Sequence, residues 1–146
     1  MKTEEYNAGL KLNWRPRWLS SINELTDLEL QKISWLDAKV ENPHWTYVEF
    51  MCSYLNDLGL EDNYKDPLER KLITTEELQI IIEWHKKLTE YEVPNNEHYN
   101  HTEILNDSKW IEILKLGLNS RLKLADIICE EEKKILTEKI NYLAYT

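Results

Sequence analysis

The stretch Asn42-Pro43-His44-Trp45-Thr46-Tyr47-Val48-Glu49-Phe50-Met51-Cys52-Ser53-Tyr54-Leu55-Asn56-Asp57-Leu58-Gly59 decides the fold class. Asn42 has the side chain of an N-cap, and Pro43 suits the first helical position, where its missing N–H costs nothing. Gly59 supplies a left-handed stop. On a helical wheel Glu49, Ser53, Asn56 and Asp57 fall in one stripe about 100° wide. Trp45, Tyr47, Val48, Phe50, Met51, Tyr54 and Leu55 are apolar or aromatic and take up the rest of the circumference. A helix that is apolar on most sides must be covered by neighbours, so residues 43–58 are predicted to form the central helix of an all-α bundle.

Working outward, residues 1–13 show little periodicity and are expected to be a tail or an extended arm. Pro16 fits a first turn, with Trp18, Leu19 and Ile22 on one face. Thr26-Asp27-Leu28-Glu29 spells a capping box for a helix ending near Leu36. Beyond Gly59, residues 60–73 form an acidic connection, with a short turn started by Asp66-Pro67. A second box, Thr74 to Glu77, opens a helix to about Glu92. Its charged stripe is Glu76, Gln79, Glu83, Lys86 and Glu90, and Leu78, Ile81, Ile82 and Leu88 face inward. Pro94 and Asn95-Asn96 end it, and residues 95–106 read as a polar loop. From Ser108 to Tyr145 one apolar arc (Trp110, Leu114, Leu118, Leu122, Ala125, Cys129, Leu136, Ile140, Leu143) persists. A continuous helix there would be roughly 55 Å long, more than such a domain spans, so a break is expected at Gly117–Ser120. The prediction is one helical domain, 1–146, with about five or six helices around 43–58.

Composition agrees. The chain has 146 residues, 42% apolar and 31% charged, enough for a real core. Three glycines and four prolines are too few for an all-β chain. Cys52 and Cys129 form no Cys-x-x-Cys pair and are expected to be buried free thiols in a reducing compartment. The opening Met1-Lys2-Thr3-Glu4-Glu5 has no apolar leader, and no run approaches a membrane span, which points to the cytoplasm. Net charge is −9. Such a surplus repels phosphate backbones and anionic lipid, so neither nucleic acid nor membrane is expected as a partner, and a basic protein is.

Little points to chemistry. His98 and His101, with Glu97 or Glu103, make the best metal candidate, but no third nitrogen or sulfur ligand lies near in sequence. His85 projects from an apolar helix face and reads as a core histidine with one bonded nitrogen. His44 is expected to order the turn before the central helix. No nucleophile elbow surrounds a serine, no local signature surrounds either cysteine, and three scattered glycines cannot cradle a phosphate. No catalytic residue, metal site or cofactor is therefore predicted. Glu132 falls within the apolar arc and reads as a rim charge with a packed stem. In Trp14-Arg15-Pro16-Arg17-Trp18 the arginines are expected to stack on structural tryptophans or to anchor a protein partner. Acids cluster at Asp57–Glu69, Glu90–Glu103 and Glu130-Glu131-Glu132. The first two clusters lie in connections, where binding groups concentrate. Asp57, Glu61, Asp62, Asp66, Glu90, Glu92 and Glu97 are the candidate partner-binding residues.

The pattern Trp14-Arg15-Pro16-Arg17-Trp18-Leu19, Trp35-Leu36, Asn42-Pro43-His44-Trp45 and Glu49-Phe50 resembles the N-terminal half of small bacterial immunity proteins of contact-dependent inhibition and related polymorphic toxin systems. The resemblance covers roughly residues 14–58 and carries no defined binding residue. It implies a cytosolic, acidic single domain that neutralises a cognate toxin domain, often a basic nuclease. The function expected is a non-enzymatic inhibitor that occludes the active or substrate-binding surface of a basic toxin. The alternatives are a generic helical adaptor or regulatory subunit, and a metal-dependent enzyme built on His85, His98, His101 and nearby acids.

Overall fold

A computed structural model describes residues 2–37, 44–60 and 63–141, with side chains from Lys11 onward. Among the described residues there are eight α-helices and no strand: α1 (Lys2–Thr26), α2 (Leu28–Leu36), α3 (Tyr47–Leu55), α4 (Lys65–Glu69), α5 (Thr75–Glu90), α6 (His101–Asn106), α7 (Ser108–Ala125) and α8 (Glu130–Thr137). The all-α bundle is as predicted. The short helices α4 and α6 fall within the segments 60–73 and 95–106, whose sequences predict connections. No helix of the described residues is long and apolar enough to cross a membrane.

The helix around which the others gather is α1, which packs against α2, α3, α7 and α8. Trp14, Trp18, Ile22 and Leu25 recur every three or four residues along it and are buried. The expected tail at 1–13 is instead helix from Lys2 onward. Its Lys, Glu, Ala and Leu residues are strong helix formers even without an apolar period. Pro16 consequently lies inside the helix, not in a first turn. Its ring removes one backbone bond, while its neighbours Trp14 and Arg15 are buried.

The predicted central helix is shorter than 43–58. Helix α3 begins at Tyr47, where Thr46 accepts the Glu49 N–H at 3.1 Å; Asn42-Pro43 lies outside the described residues. Its two faces are as read: Tyr47, Phe50 and Tyr54 are buried, and Glu49, Asn56 and Asp57 are exposed. Gly59 takes the left-handed φ of +70° that ends the segment.

Capping differs at α2. Asp27, not Thr26, accepts the Leu30 N–H at 3.0 Å, because the Thr26 hydroxyl turns back to donate to the Ile22 carbonyl at 2.7 Å. The second box is complete: Thr74 Oγ1 accepts the Glu77 N–H at 3.1 Å, and Glu77 Oε1 accepts the Thr74 N–H at 2.9 Å.

Helix α7 runs through Gly117 without a break, and the chain leaves the helix at residues 126–129. Gly117 answers a packing need. A Cβ there would stand 2.6 Å from Thr26 Cγ2 and 2.7 Å from Trp84 Nε1, so α7 meets the end of α1 and the middle of α5 more closely than any side chain permits. The buried face therefore centres on Gly117, with Trp110, Ile113, Leu114, Ser120 and Leu124. Leu118 and Leu122, expected inward, are rotated out and exposed. Cys129, expected to be buried, is exposed, and Cys52 is half-buried; both are free thiols.

Candidate functional site

Two networks of polar side chains lie inside the bundle. Arg15, 7% exposed, donates from Nη1 and Nη2 to the two carboxylate oxygens of Glu77 at 2.9 and 2.7 Å, and from Nη1 to the Leu72 carbonyl. It also donates from Nε and Nη2 to Glu132 at 2.6 and 3.0 Å. Burial works against the guanidinium charge, and the hydrogen bonds and charges of Glu77 and Glu132 more than offset it, raising the pKa. Burial alone would push Glu77 up, but Arg15 and the Thr74 N–H hold it below the usual carboxylate range. The cluster ties α1, α5 and α8. Arg15 also lies over Trp18, 5.3 Å from the ring centre, which is the structural stacking expected of this motif. Glu132 is more than a rim charge.

A second internal chain joins Trp18, Tyr64, Tyr54 and His85. Trp18 Nε1 donates to Tyr64 Oη at 2.9 Å, the two tyrosine hydroxyls share a short hydrogen bond, and Tyr54 Oη lies 2.8 Å from His85 Nδ1. His85 is fully buried, and burial lowers its pKa to about 4. It is a core histidine with one bonded nitrogen, as read from its helix face.

The other histidines are placed by tertiary contacts. His44 Nε2 pairs with Glu24 Oε2 of α1 at 2.6 Å. That hydrogen bond raises its pKa against the opposing effect of burial, with further help from the charges of Glu24, Glu49 and Asp57. His101 Nδ1 donates to the Trp35 carbonyl and Nε2 accepts the Tyr47 N–H, each at 3.2 Å. Burial lowers its pKa, partly opposed by the Trp35 carbonyl. With both ring nitrogens in backbone bonds, His101 has no lone pair for a metal. The pairing of His98 with His101 as metal ligands therefore fails on geometry. Among the described residues no group of three His, Cys, Asp or Glu side chains is placed to hold a metal ion.

The candidate partner-binding acids fall in two groups. Glu61 and Asp62 lie outside the described residues. Asp57 and Asp66, both exposed, follow the C-terminal end of α3, and Asp66 is already paired with Arg70 at 3.0 Å. Glu90, Glu92 and Glu97 lie at its other end, where Tyr47 meets Tyr91 and His98. Nine residues of helix, roughly 13 Å, separate the groups. The second group extends into a larger acidic surface among the described residues. Residues 90–112 contain six acids (Glu90, Glu92, Glu97, Glu103, Asp107, Glu112) and one base, Lys109. Within this lobe Asn95 and Asn96 both adopt left-handed φ, 55° and 59°, and turn the chain sharply. Tyr91 Oη donates to Asp107 Oδ2 at 2.8 Å. Tyr99 is 67% exposed at the tip.

Beside the lobe a groove of about 500 Å³ runs between α5 and α7, lined by Lys87, Glu90, Tyr91, Glu92, Lys109, Glu112, Ile113 and Leu116. The α7 residues share one face at i, i+3, i+4 and i+7. Glu90, Glu92 and Glu112 have no base within ion-pair distance among the described residues. Sequence reading missed Glu112, although its place on the Ile113 and Leu116 side of an amphipathic helix was visible on the wheel. It also missed the Arg15 centre, for which Glu132 inside an apolar arc was the available sign.

Comparison with family models, with curated proteins and with solved structures gives no match to this chain.

Proposed function

We propose that this protein is a non-enzymatic inhibitor, a cytoplasmic immunity protein that covers the active or substrate-binding surface of a basic toxin domain. One observation carries the reading. Five of the nine units of net negative charge arise between residues 90 and 112, and three of those acids are exposed around a groove with no ion-pair partner among the described residues. A surface of this kind attracts a basic partner and speeds its capture. Exposed Tyr99 at the tip is the residue type that anchors protein interfaces. Of the histidines on which a metal-dependent enzyme would be built, His101 has both ring nitrogens in backbone bonds and His85 is fully buried in the core with Nδ1 bonded to Tyr54. The resemblance of residues 14–58 to small immunity proteins is consistent with this reading.

The test is co-purification of the tagged protein with the product of the adjacent gene. The complex should dissociate as salt rises, and its association rate should fall when Glu90, Glu92 and Glu97 are reversed to lysine. An association rate that ignores both salt and these reversals would remove the acidic lobe as the docking face.

An adaptor role is the second reading. It is favoured by Leu118 and Leu122, exposed one turn apart on α7. A neighbouring regulatory or metabolic gene whose product binds through these leucines would support it over immunity.

A further inference from the structure

The groove between α5 and α7 has a more buried floor of Tyr91, Ile113 and Leu116 and an exposed rim of Glu90, Glu92 and Glu112 with Lys87 and Lys109. An acidic surface alone attracts any polycation, whereas an apolar floor inside it selects among them. At about 500 Å³ the recess is within the size range of binding clefts and has room for an apolar side chain together with its neighbours. It is built on two helices packed against each other, so it exists before a partner arrives and costs little ordering on binding. The three rim carboxylates have no ion-pair partner among the described residues. Lys87 and Lys109 on the same lining confine an incoming cation to those three positions and disfavour an all-basic segment.

From this we infer that the groove receives an apolar side chain of the partner flanked by lysine or arginine, an amphipathic basic segment whose apolar side meets Tyr91, Ile113 and Leu116. The inference rests on the basic-partner reading and names the element of that partner which is read.

Two synthetic peptides of equal charge test it, one with leucines at i, i+3, i+4 and i+7 among lysines and one with serine in place of leucine. Binding to the full chain is followed by titration calorimetry. The leucine-lysine peptide should bind at least about tenfold more tightly than the serine peptide. E90K/E92K/E112K should weaken both peptides, and Leu116→Asp should weaken the leucine-lysine peptide alone. Asp57→Lys with Asp66→Lys should leave the preference for leucine unchanged. Thermal melts of each variant identify any loss of fold, and Leu116→Ser provides a milder version of the floor change. Equal binding of both peptides, or a leucine preference that survives Leu116→Asp and Leu116→Ser, overturns the groove while leaving an acidic docking face in place. Binding of neither peptide also overturns the groove, and the salt and charge-reversal test above then decides the wider reading separately.

Discussion

Around Arg15, and again in the lobe from Glu90 to Glu112, glutamate is set in two opposite environments. Glu77 is 4% exposed, holds Arg15 in a bidentate pair and closes the capping box of α5. Glu90, Glu92 and Glu112 are exposed on helix ends and faces with no base in reach among the described residues. The first arrangement couples three helices through a desolvated charge; the second leaves charge available to something outside the molecule. Identical side chains therefore divide between holding the fold and presenting a surface, and the division follows the placement of the helices, not the local sequence.

The contrast is tested most severely at Arg15. Removing it as Arg15→Leu leaves Glu77 and Glu132 facing each other without their cation. Loss of one partner from a buried pair costs about 3–5 kcal/mol, so urea unfolding at neutral pH should show a loss of that order. Adding Glu77→Gln and Glu132→Gln should restore part of it. A loss below about 1 kcal/mol would mean that the centre is solvated.

Next in size is the pH response of the interior. His85 has a folded pKa of about 4, below its unfolded value. The unfolded chain thus binds the proton first, and stability falls as pH drops from about 6.5 toward 4. The shift corresponds to about 3 kcal/mol at the acid end. His85→Gln should flatten the stability curve over this window. His44, whose pKa is raised by Glu24, acts with the opposite sign. Its contribution is complete below the unfolded pKa and is lost as pH rises through the folded one, so His44→Gln should cost more near pH 6 than near pH 9.

Gly117→Ala should destabilise by about 1–3 kcal/mol, because the added methyl collides with Thr26 and Trp84. The opposite sign would show that helix propensity outweighs the close approach. At the small end, Glu92→Gln should alter stability by less than about 0.5 kcal/mol while weakening capture of a basic partner. A Glu92→Gln variant as destabilised as Glu77→Gln would erase the distinction between the two regions.

How much could be read in advance varies from element to element. The box at Thr74 and Glu77 and the charged stripe of α5 were legible because capping and amphipathic period are local properties. The core role of His85 was legible for the same reason. The helix at the N-terminus was not, since residues 2–13 carry propensity without period, and propensity alone does not distinguish a helix from a polar tail. The break expected at Gly117 was misplaced because glycine has two uses, ending a helix or admitting a neighbour, and only the presence of Thr26 and Trp84 beside it selects the second. Asp57 and Glu92 looked alike as acids in connections; that they stand at opposite ends of α3, and that Glu112 joins only one of them, could not be seen along the chain.

By itself, then, the order of residues determined that this protein is helical, acidic and built on a tryptophan-rich core, because those outcomes depend on composition and on spacings of three or four residues. Which carboxylates are spent inside and which remain outside was decided only by tertiary structure. Arg15 and Glu132 are 117 positions apart, and no local rule relates two side chains until packed helices bring them together.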